Sequence, residues 1–395
     1  MPKSGTLVKD VVEILHSTLL SDKKPIPLHE PEFSGNEWKY VKECIDTGWV
    51  SSVGSYVDLF ERTIEDFTGA KHAVATVNGT TALHLCLLLV GTKMNDEVLV
   101  PSLTFVATPN AVTYCGGIPH FIDSAETTLG VDPNKLDIYL KEISEIRKEG
   151  CFNKCTGRRI HAIVPMHTFG HPVDLDPLVE ICNRYKLNLV EDAAESLGSY
   201  YKGKHTGTFG QVSSLSFNGN KIVTTGGGGA ILTNDSGLAK LAKHLTTTAR
   251  IPHKWSFVHD MVGFNYRLPN LNAALGCAQM EQLPKFIADK RNLADKYKKA
   301  FSGVQGIHFF SEPAFAKSNY WLNVLLLEKD FENSRDDLLE ATSRSGIMTR
   351  PAWTLMHKLE MYNDCPRMDN LRTCESLEEQ LINIPSSAVL GTNNG

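Results

Sequence analysis

The sequence lacks the features that would place it among membrane, secreted or nucleic-acid-binding proteins. No apolar run approaches the length of a membrane span, and the N-terminus has no charged and then apolar leader. Lys and Arg total 40 against 45 Asp and Glu, and no basic block stands alone. We therefore expect no membrane and no nucleic acid among its partners, and we expect a cytoplasmic location.

Cofactor and metal signatures are also scarce. No GxGxxG follows a predicted strand, which disfavours NAD, and no GxxxxGK[ST] is present for ATP. The nine cysteines are odd in number and scattered, and the one close pair, Cys151 and Cys155, has no second pair at zinc spacing. The sequence therefore predicts reduced thiols and no metal site.

What is present is a long chain with the composition of a globular protein. Its 395 residues exceed what one core normally supports, and 42% of them are hydrophobic while 22% are charged. Apolar residues at helical spacing over 7–20, followed by a break at 21–25, predict a leader helix within residues 1–32. We expect this helix to pack against the rest of the protein.

Residues 33–274 alternate short apolar runs with helical patterns, which indicates a mainly parallel sheet of seven strands with helices on both faces. The pattern changes near residue 270, where a long charged helix begins. Residues 275–395 are predicted to form a smaller α+β domain. The seven predicted strands are short and lie between turn residues: 73–77, 97–100, 118–122, 162–165, 188–191, 213–217 and 230–232.

Lys221 is the most informative residue of the chain. It follows the predicted strand 213–217 and precedes four consecutive glycines at 226–229. A lysine enclosed by small and apolar residues can lose its charge and attack a carbonyl as a neutral amine, which is Schiff-base chemistry. For an isolated lysine, a surface loop that needs glycine for its backbone angles would be the better interpretation.

Three other strand ends favour the Schiff-base interpretation, since ligands of open α/β sheets bind beyond the carboxyl ends of the strands. The turn 78–85 offers free N–H groups at a helix start, suited to a phosphate, although a simple N-cap would also explain it. Asp192 follows a predicted strand, where a buried carboxylate needs a cation or a hydrogen-bond donor, although it could instead cap a helix. Phe105 could stack on a flat ring or pack in the core. Together with Lys221, these are the attachment points of pyridoxal 5'-phosphate (PLP).

Five ordered segments resemble the DegT/DnrJ/StrS family of PLP-dependent nucleotide-sugar aminotransferases: 78–85, 96–108, 191–210, 216–229 and 263–276. The resemblance extends from Gly48 to Ser387, nearly the whole chain. It implies the type I (aspartate aminotransferase-like) fold of PLP-dependent transferases, in which a large α/β domain is followed by a small C-terminal one.

The resemblance also implies roles for residues around the cofactor ring. Lys221 would be the lysine that forms the Schiff base, and Asp192 would be the partner of the pyridine nitrogen. Phe105 would stack on the ring, and Glu195 falls near the ring oxygen, where family members often carry Gln or His.

Further implied roles concern the phosphate and a second subunit. Thr80, Thr81 and Ser216 would hold the cofactor phosphate. The segment 263–267 would donate Asn265, and with it Arg267, into the neighbouring subunit's site, which implies a homodimer with shared active sites.

Two departures from the family pattern are Gly227, where most members carry a carboxylate, and Leu355, where a proline is usual. The first is similar to the LegC-like subgroup, which aminates 4-keto sugars on the way to bacillosamine and legionaminic acid. The resemblance thus implies transfer of the amino group of glutamate to a UDP-linked 4-keto-6-deoxy sugar. The alternatives are a 3-keto sugar, a GDP- or dTDP-linked sugar, or a non-catalytic regulatory protein of the same fold.

Lys221 and three arginines bear on rival reactions. Some relatives that dehydrate sugars carry histidine in place of the lysine, so Lys221 favours amination. An amino-acid aminotransferase would need an arginine clamp on a dicarboxylate. Arg250, Arg267 and Arg350 are the candidates, and the sequence leaves their direction open.

Overall fold

The computed structural model describes residues 2–19, 21 and 25–392. The predicted end of the leader helix at residue 20 and the part of the predicted break at 22–24 lie outside the described residues, as do Met1 and residues 393–395. Within those ranges no helix is both long and apolar enough to cross a bilayer. The nine cysteines are all described and none forms a disulfide, and the described part contains no cluster of His, Cys, Asp or Glu suited to a metal ion.

The α-helices of the described chain have these bounds: α1 (Pro2–Leu19), α2 (Glu37–Thr47), α3 (Ser55–Thr68), α4 (Gly79–Leu89), α5 (Ala107–Tyr114), α6 (Pro133–Ile143), α7 (Leu175–Tyr185), α8 (Ser236–Thr246), α9 (Asn270–Ala300), α10 (Arg335–Arg344) and α11 (Arg372–Gln380). Short 3-10 helices are found at Thr168–Gly170, Lys329–Ser334, Met356–Lys358, Glu360–Tyr362 and Ala388–Gly391.

The strands of the described chain are β1 (His72–Thr76), β2 (Glu97–Pro101), β3 (Ile118–Ile122), β4 (Ser144–Arg147), β5 (Gly150–Asn153), β6 (Arg159–Ile163), β7 (Asn188–Asp192), β8 (Tyr200–Tyr201), β9 (Lys204–His205), β10 (Val212–Ser216), β11 (Gly229–Thr233), β12 (Arg250–Ile251), β13 (Val258–His259), β14 (Ile307–Phe309), β15 (Ala316–Lys317), β16 (Asn323–Leu327), β17 (Arg350–Pro351) and β18 (Leu381–Ile384).

The central sheet contains all seven predicted strands, with bounds that differ by a few residues. Their order is β1-β11-β10-β7-β6-β2-β3, and β11 alone of the seven runs against the others. β2 and β11 are buried along their whole length, as expected when helices cover both faces of a sheet. The mainly parallel α/β fold predicted from the sequence is confirmed, and the unpredicted hairpin β4–β5 pairs with β6.

A second, antiparallel sheet forms the C-terminal part, with the strand order β14-β16-β18-β17. Helix α1 packs against α9 and α10 beside this sheet. Its apolar stripe, which includes Leu7, Val11 and Leu15, shares one core with Leu293 and Tyr297 of α9. The prediction that the leader helix packs against the protein is therefore confirmed.

Helix α9 joins the two parts of the chain. Along its course it packs against α2 and α3 of the large α/β part and against α1 beside the small sheet. The predicted domain boundary at residues 274 and 275 falls inside this helix. The division into 1–32, 33–274 and 275–395 stays a prediction.

Candidate active site

A cavity of about 310 Å³ lies where the carboxyl ends of the parallel strands meet the C-terminal part of the chain. This is the position that ligands occupy in open α/β sheets. Six of the eight predicted site residues line the cavity: Thr80, Phe105, Asp192, Glu195, Ser216 and Lys221.

Lys221 extends from the loop after β10, and its amine lies between a carboxylate and an aromatic ring. Its Nζ is 3.1 Å from Glu195 Oε1 and 3.8 Å from the ring centroid of Trp321. The side chain is 13% exposed. The sequence suggested an apolar enclosure, whereas the structure places two groups there that attract a cation.

Asp192 ends β7 with its carboxyl group buried against the cavity. Its Oδ2 accepts a hydrogen bond from Thr108 Oγ1 at 2.7 Å and its Oδ1 accepts one from the Ala194 N–H at 3.2 Å. Burial raises its pKa, although these hydrogen bonds and the charge of Lys221 oppose the rise. Neither hydrogen-bond donor is a cation, so the carboxyl can still interact favourably with a positively charged group in the cavity.

Glu195 is the second buried acid of the cavity. Its Oε2 accepts a hydrogen bond from the Phe169 N–H at 2.8 Å, while its Oε1 faces Lys221. Burial raises the pKa of Glu195 to about 7 even though the Lys221 ammonium is adjacent. An acid with its pKa near neutrality can exchange a proton with a neighbouring group, which is the property that acid and base catalysts share.

The turn from β1 into α4 forms the part of the cavity suited to a phosphate. Asn78 caps α4 by accepting a hydrogen bond from the Thr81 N–H at 2.8 Å, and Gly79 and Thr80 line the cavity wall. A Cβ atom on Gly79 would lie 2.8 Å from the Cβ of Ser216, so only glycine lets these two chain segments approach each other. Helix-start N–H groups and the Ser216 hydroxyl therefore converge on one spot.

Two predicted residues lie outside this wall. The Thr81 hydroxyl donates to the Asn78 carbonyl at 2.8 Å, so Thr81 belongs to the cap, and its role in binding phosphate stays a prediction. Asn265 is exposed away from the cavity, and its Oδ1 accepts hydrogen bonds from Arg267 at 3.0 and 3.2 Å. Its predicted position in a partner's site also stays a prediction.

Phe105 is 47% exposed and faces the cavity. The alternative that it packs in the core therefore does not describe this side chain. Its ring meets Trp353 edge-on at 6.1 Å, and Trp353 in turn packs on Phe169 at 4.9 Å. The exposed face of Phe105 is available to a flat ligand.

The glycines after Lys221 differ in what requires them. Gly226 has φ of 77°, in the left-handed region that favours glycine. A Cβ on Gly228 would lie 2.2 Å from Thr225 Oγ1, and one on Gly229 would lie 2.5 Å from the Asn78 carbonyl carbon. A Cβ on Gly227 would have no atom within 4 Å.

Sequence reasoning missed several cavity residues. Thr108, in the first turn of α5, acts from behind the cavity wall by donating a hydrogen bond to Asp192, and no pattern in the sequence links these two residues. Trp321 and Trp353 come from the C-terminal part of the chain, where no local pattern marks them as cavity residues. Asn218 and Asn220 line the cavity from the loop that carries Lys221.

The residues present fit PLP. Asp192 is a buried acid without a cationic hydrogen-bond donor, the Gly79 turn is a cradle that a Cβ would fill, and Lys221 supplies the amine. In the bound enzyme the ring nitrogen would face Asp192, and Thr80 and Ser216 would contact the phosphate. Phe105 would cover the ring.

Comparisons with known proteins identify the family of the chain. Residues 31–394 match the model of the DegT/DnrJ/EryC1/StrS aminotransferase family. The chain is 38% identical over 363 residues to a GDP-perosamine synthase of Escherichia coli O157:H7, covering 92% of this chain and 93% of the relative. It is 36% identical over 374 residues to a GDP-perosamine synthase of Caulobacter vibrioides, covering 94% and 95%.

Among solved structures, the chain is similar to the aminotransferase TlmJ from Streptoalloteichus hindustanus. The TM-score is 0.82 at 26% sequence identity, and the match covers 91% of this chain and 93% of TlmJ. The type I fold of PLP-dependent transferases is thereby confirmed. The chain belongs to the DegT/DnrJ/EryC1/StrS aminotransferase family and is a PLP-dependent nucleotide-sugar aminotransferase.

Proposed function

We propose that this enzyme transfers the amino group of glutamate to the keto carbon of a GDP-linked 4-keto-6-deoxy sugar. The observation that carries the amination is the Lys221 amine, which faces the cavity beside Glu195 and shares that cavity with Asp192. The choice of nucleotide follows the relatives named GDP-perosamine synthase. They support the GDP-linked alternative better than the UDP-linked, LegC-like substrate expected from Gly227.

Each cavity residue has a task in such a transfer. When bound, PLP supplies an aldehyde that takes up the amine and a ring that accepts the electron pair released at the reacting carbon. Asp192 holds a proton on the ring nitrogen, because its buried carboxylate is stabilised by a positive charge in contact with it. Thr80 and Ser216 fix the phosphate, so the ring keeps one orientation.

Lys221 moves a proton between the substrate carbon that loses or gains the amino group and the aldehyde carbon of the cofactor. Its Nζ is free once an amino donor has replaced it, and the four-carbon side chain lets it reach both atoms. Glu195, 3.1 Å away and with a pKa of about 7, can exchange a proton with that amine.

The second part of the proposal concerns assembly. We propose a homodimer in which Asn265 and Arg267 of one subunit reach the cofactor site of the other. Both residues lie outside their own cavity, and Arg267 lines a separate depression of about 590 Å³ with Trp49 and Ser52.

The experiment is a substrate panel. Full-length enzyme loaded with PLP is incubated with glutamate and GDP-, dTDP- or UDP-linked 4-keto-6-deoxy sugars, together with 3-keto isomers, and products are identified by mass spectrometry. We expect the amino sugar from the GDP-linked 4-keto substrate and none from Lys221→Ala. Preferential amination of the UDP-linked sugar would restore the LegC-like assignment, and absence of product from every substrate would contradict the proposal.

A further inference from the structure

We propose that Trp321 is a positioning residue for the aminotransfer: its indole face holds the Lys221 amine at the cavity wall whenever that amine is not bonded to cofactor. The inference rests on the proposed function for its role in the reaction cycle. The contact itself is between two side chains of this chain. Among the predicted site residues, Glu195 also contacts this amine, and Trp321 was not predicted.

The geometry is that of a cation over an aromatic face. Lys221 Nζ lies 3.8 Å from the ring centroid of Trp321, well inside the range of about 6 Å over which such contacts are favourable. Glu195 Oε1 lies 3.1 Å from the same nitrogen. Glu195 follows β7 and Trp321 precedes β16, so the two contacts come from opposite parts of the chain and converge on one amine.

Trp321 is held by hydrogen bonds at both its ring and its backbone. The ring Nε1–H donates to the Asn220 carbonyl at 2.7 Å, which ties the indole to the residue just before Lys221. The backbone N–H donates to Asn319 Oδ1 at 2.8 Å, and the carbonyl accepts from Lys290 Nζ at 3.2 Å. The ring therefore has a fixed orientation, which a surface for a flexible lysine requires.

One carboxyl group alone is a weaker anchor. A lysine side chain has several rotatable bonds, so a single contact at its end leaves many conformations open. Burial raises the pKa of Glu195 to about 7, and this acid is therefore partly neutral near physiological pH. The attraction of the indole face does not depend on a proton of its own.

Trp353 provides a matched control. It lines the same cavity, but its ring contacts are with Phe105 and Phe169 rather than with Lys221. Removing either indole enlarges the cavity, but only the removal of Trp321 takes away the ring face that contacts the amine.

The test measures the pH profile of Lys221 labelling in the full-length, cofactor-free protein. The probe is trinitrobenzenesulfonate, and modification of Lys221 is followed by peptide mass spectrometry for wild type, Trp321→Leu, Trp321→Phe and Trp353→Leu. We expect the labelling midpoint of Trp321→Leu to fall by about half to one pH unit, because the cation loses its aromatic contact. Trp321→Phe keeps an aromatic ring, so its labelling midpoint should stay close to that of wild type. Trp353→Leu should leave the midpoint unchanged.

A second measurement covers the case in which Trp321→Leu does not fold. Fluorinated tryptophans, incorporated with increasing fluorine content, weaken the negative face of the ring without changing its size greatly, and they should lower the midpoint stepwise. A labelling midpoint that is unchanged both in Trp321→Leu and in the fluorinated proteins would overturn the proposal. No sugar nucleotide enters either measurement, so failure here is distinct from failure of the substrate assignment.

Discussion

Buried acids lie at both edges of the central sheet, Glu97 where β2 begins and Asp192 where β7 ends. Glu97 is completely buried, and its oxygens receive hydrogen bonds from Thr156 at 2.5 Å and Asn153 at 2.9 Å. The His120 ring contacts it at 2.9 Å. Burial alone would raise the pKa of Glu97, but these contacts lower it below its usual range.

The two acids near the carboxyl end of β7 have raised pKa values instead. Burial raises the pKa of Asp192 and raises that of Glu195 to about 7. Both strands belong to one sheet and all three acids are buried, so burial does not explain the difference. Glu97 is surrounded by protein donors, whereas Asp192 and Glu195 line the cavity and remain able to interact with a ligand or a proton. The difference follows the cavity rather than the end of the strand, because Glu191, one residue before Asp192, is also buried and its protein donors hold its pKa low. A site that must act on a ligand gives up part of the stability that a fully satisfied acid provides.

Lys221→Ala gives the largest expected effect, because it removes the amine that we propose as the nucleophile of the cavity. We expect turnover to fall by several orders of magnitude and the absorbance of the lysine-linked cofactor to disappear, while PLP still binds without a covalent bond. Stopped-flow absorbance with glutamate measures both. Retained turnover would show that Lys221 is not the reacting amine.

Asp192→Asn tests the acid at the end of β7. The amide keeps the size of the side chain but no longer holds a proton on the cofactor ring, so both half-reactions should slow by about 10² to 10⁴. Single-turnover kinetics with glutamate and with the keto sugar measure each half. Circular dichroism is the control for the fold, and unchanged rates would mean that Asp192 serves only as a cap.

Glu97→Gln should act on stability rather than on turnover. The folded-state pKa of Glu97 is lowered, so its carboxylate stabilises the fold above the unfolded value near 4.5, and that contribution disappears as the pH falls. We expect the variant to lose about 1–3 kcal/mol of unfolding free energy at pH 7 and less at pH 4. Urea unfolding at both pH values checks this, and a loss equal at both would contradict it.

Glu195→Gln should give the opposite pH dependence. The folded-state pKa is raised to about 7, so ionising Glu195 destabilises the fold, and its contribution is complete below pH 4.5 and lost as the pH rises through 7. The free energy of unfolding of the variant, compared with that of wild type, should therefore rise by about 1–2 kcal/mol between pH 5 and pH 8. If the free energy of unfolding depends on pH in the same way for the two glutamine variants, the contrast between Glu97 and the cavity acids is wrong.

The sequence was sufficient for features that depend on neighbours along the chain. Strand ends, the helix start at Gly79 and the positions of Asp192 and Lys221 follow from local patterns, and the structure places them at one cavity. Trp321 could not be found in this way. Its contact with Lys221 requires the small sheet to pack beside the loop after β10, and no spacing within either segment encodes that arrangement.

The nucleotide could not be predicted from the cavity residues. The segments that carry the resemblance supply the predicted residues that line the cavity, and no residue in them was predicted to contact the nucleotide. Gly227 suggested the UDP-linked subgroup, whereas two relatives at 38% and 36% identity are named GDP-perosamine synthase.

The open space around Gly227 makes this position suitable for adding a side chain beside the Lys221 loop. Neither its backbone nor its neighbours demand glycine, in contrast to Gly226, Gly228 and Gly229. A β-carbon at position 227 would meet no atom within 4 Å, so the first atom of a side chain fits there. Position 227 is therefore the glycine of this run at which a substitution should leave the fold intact, and its effect on substrate choice can be measured separately from its effect on stability.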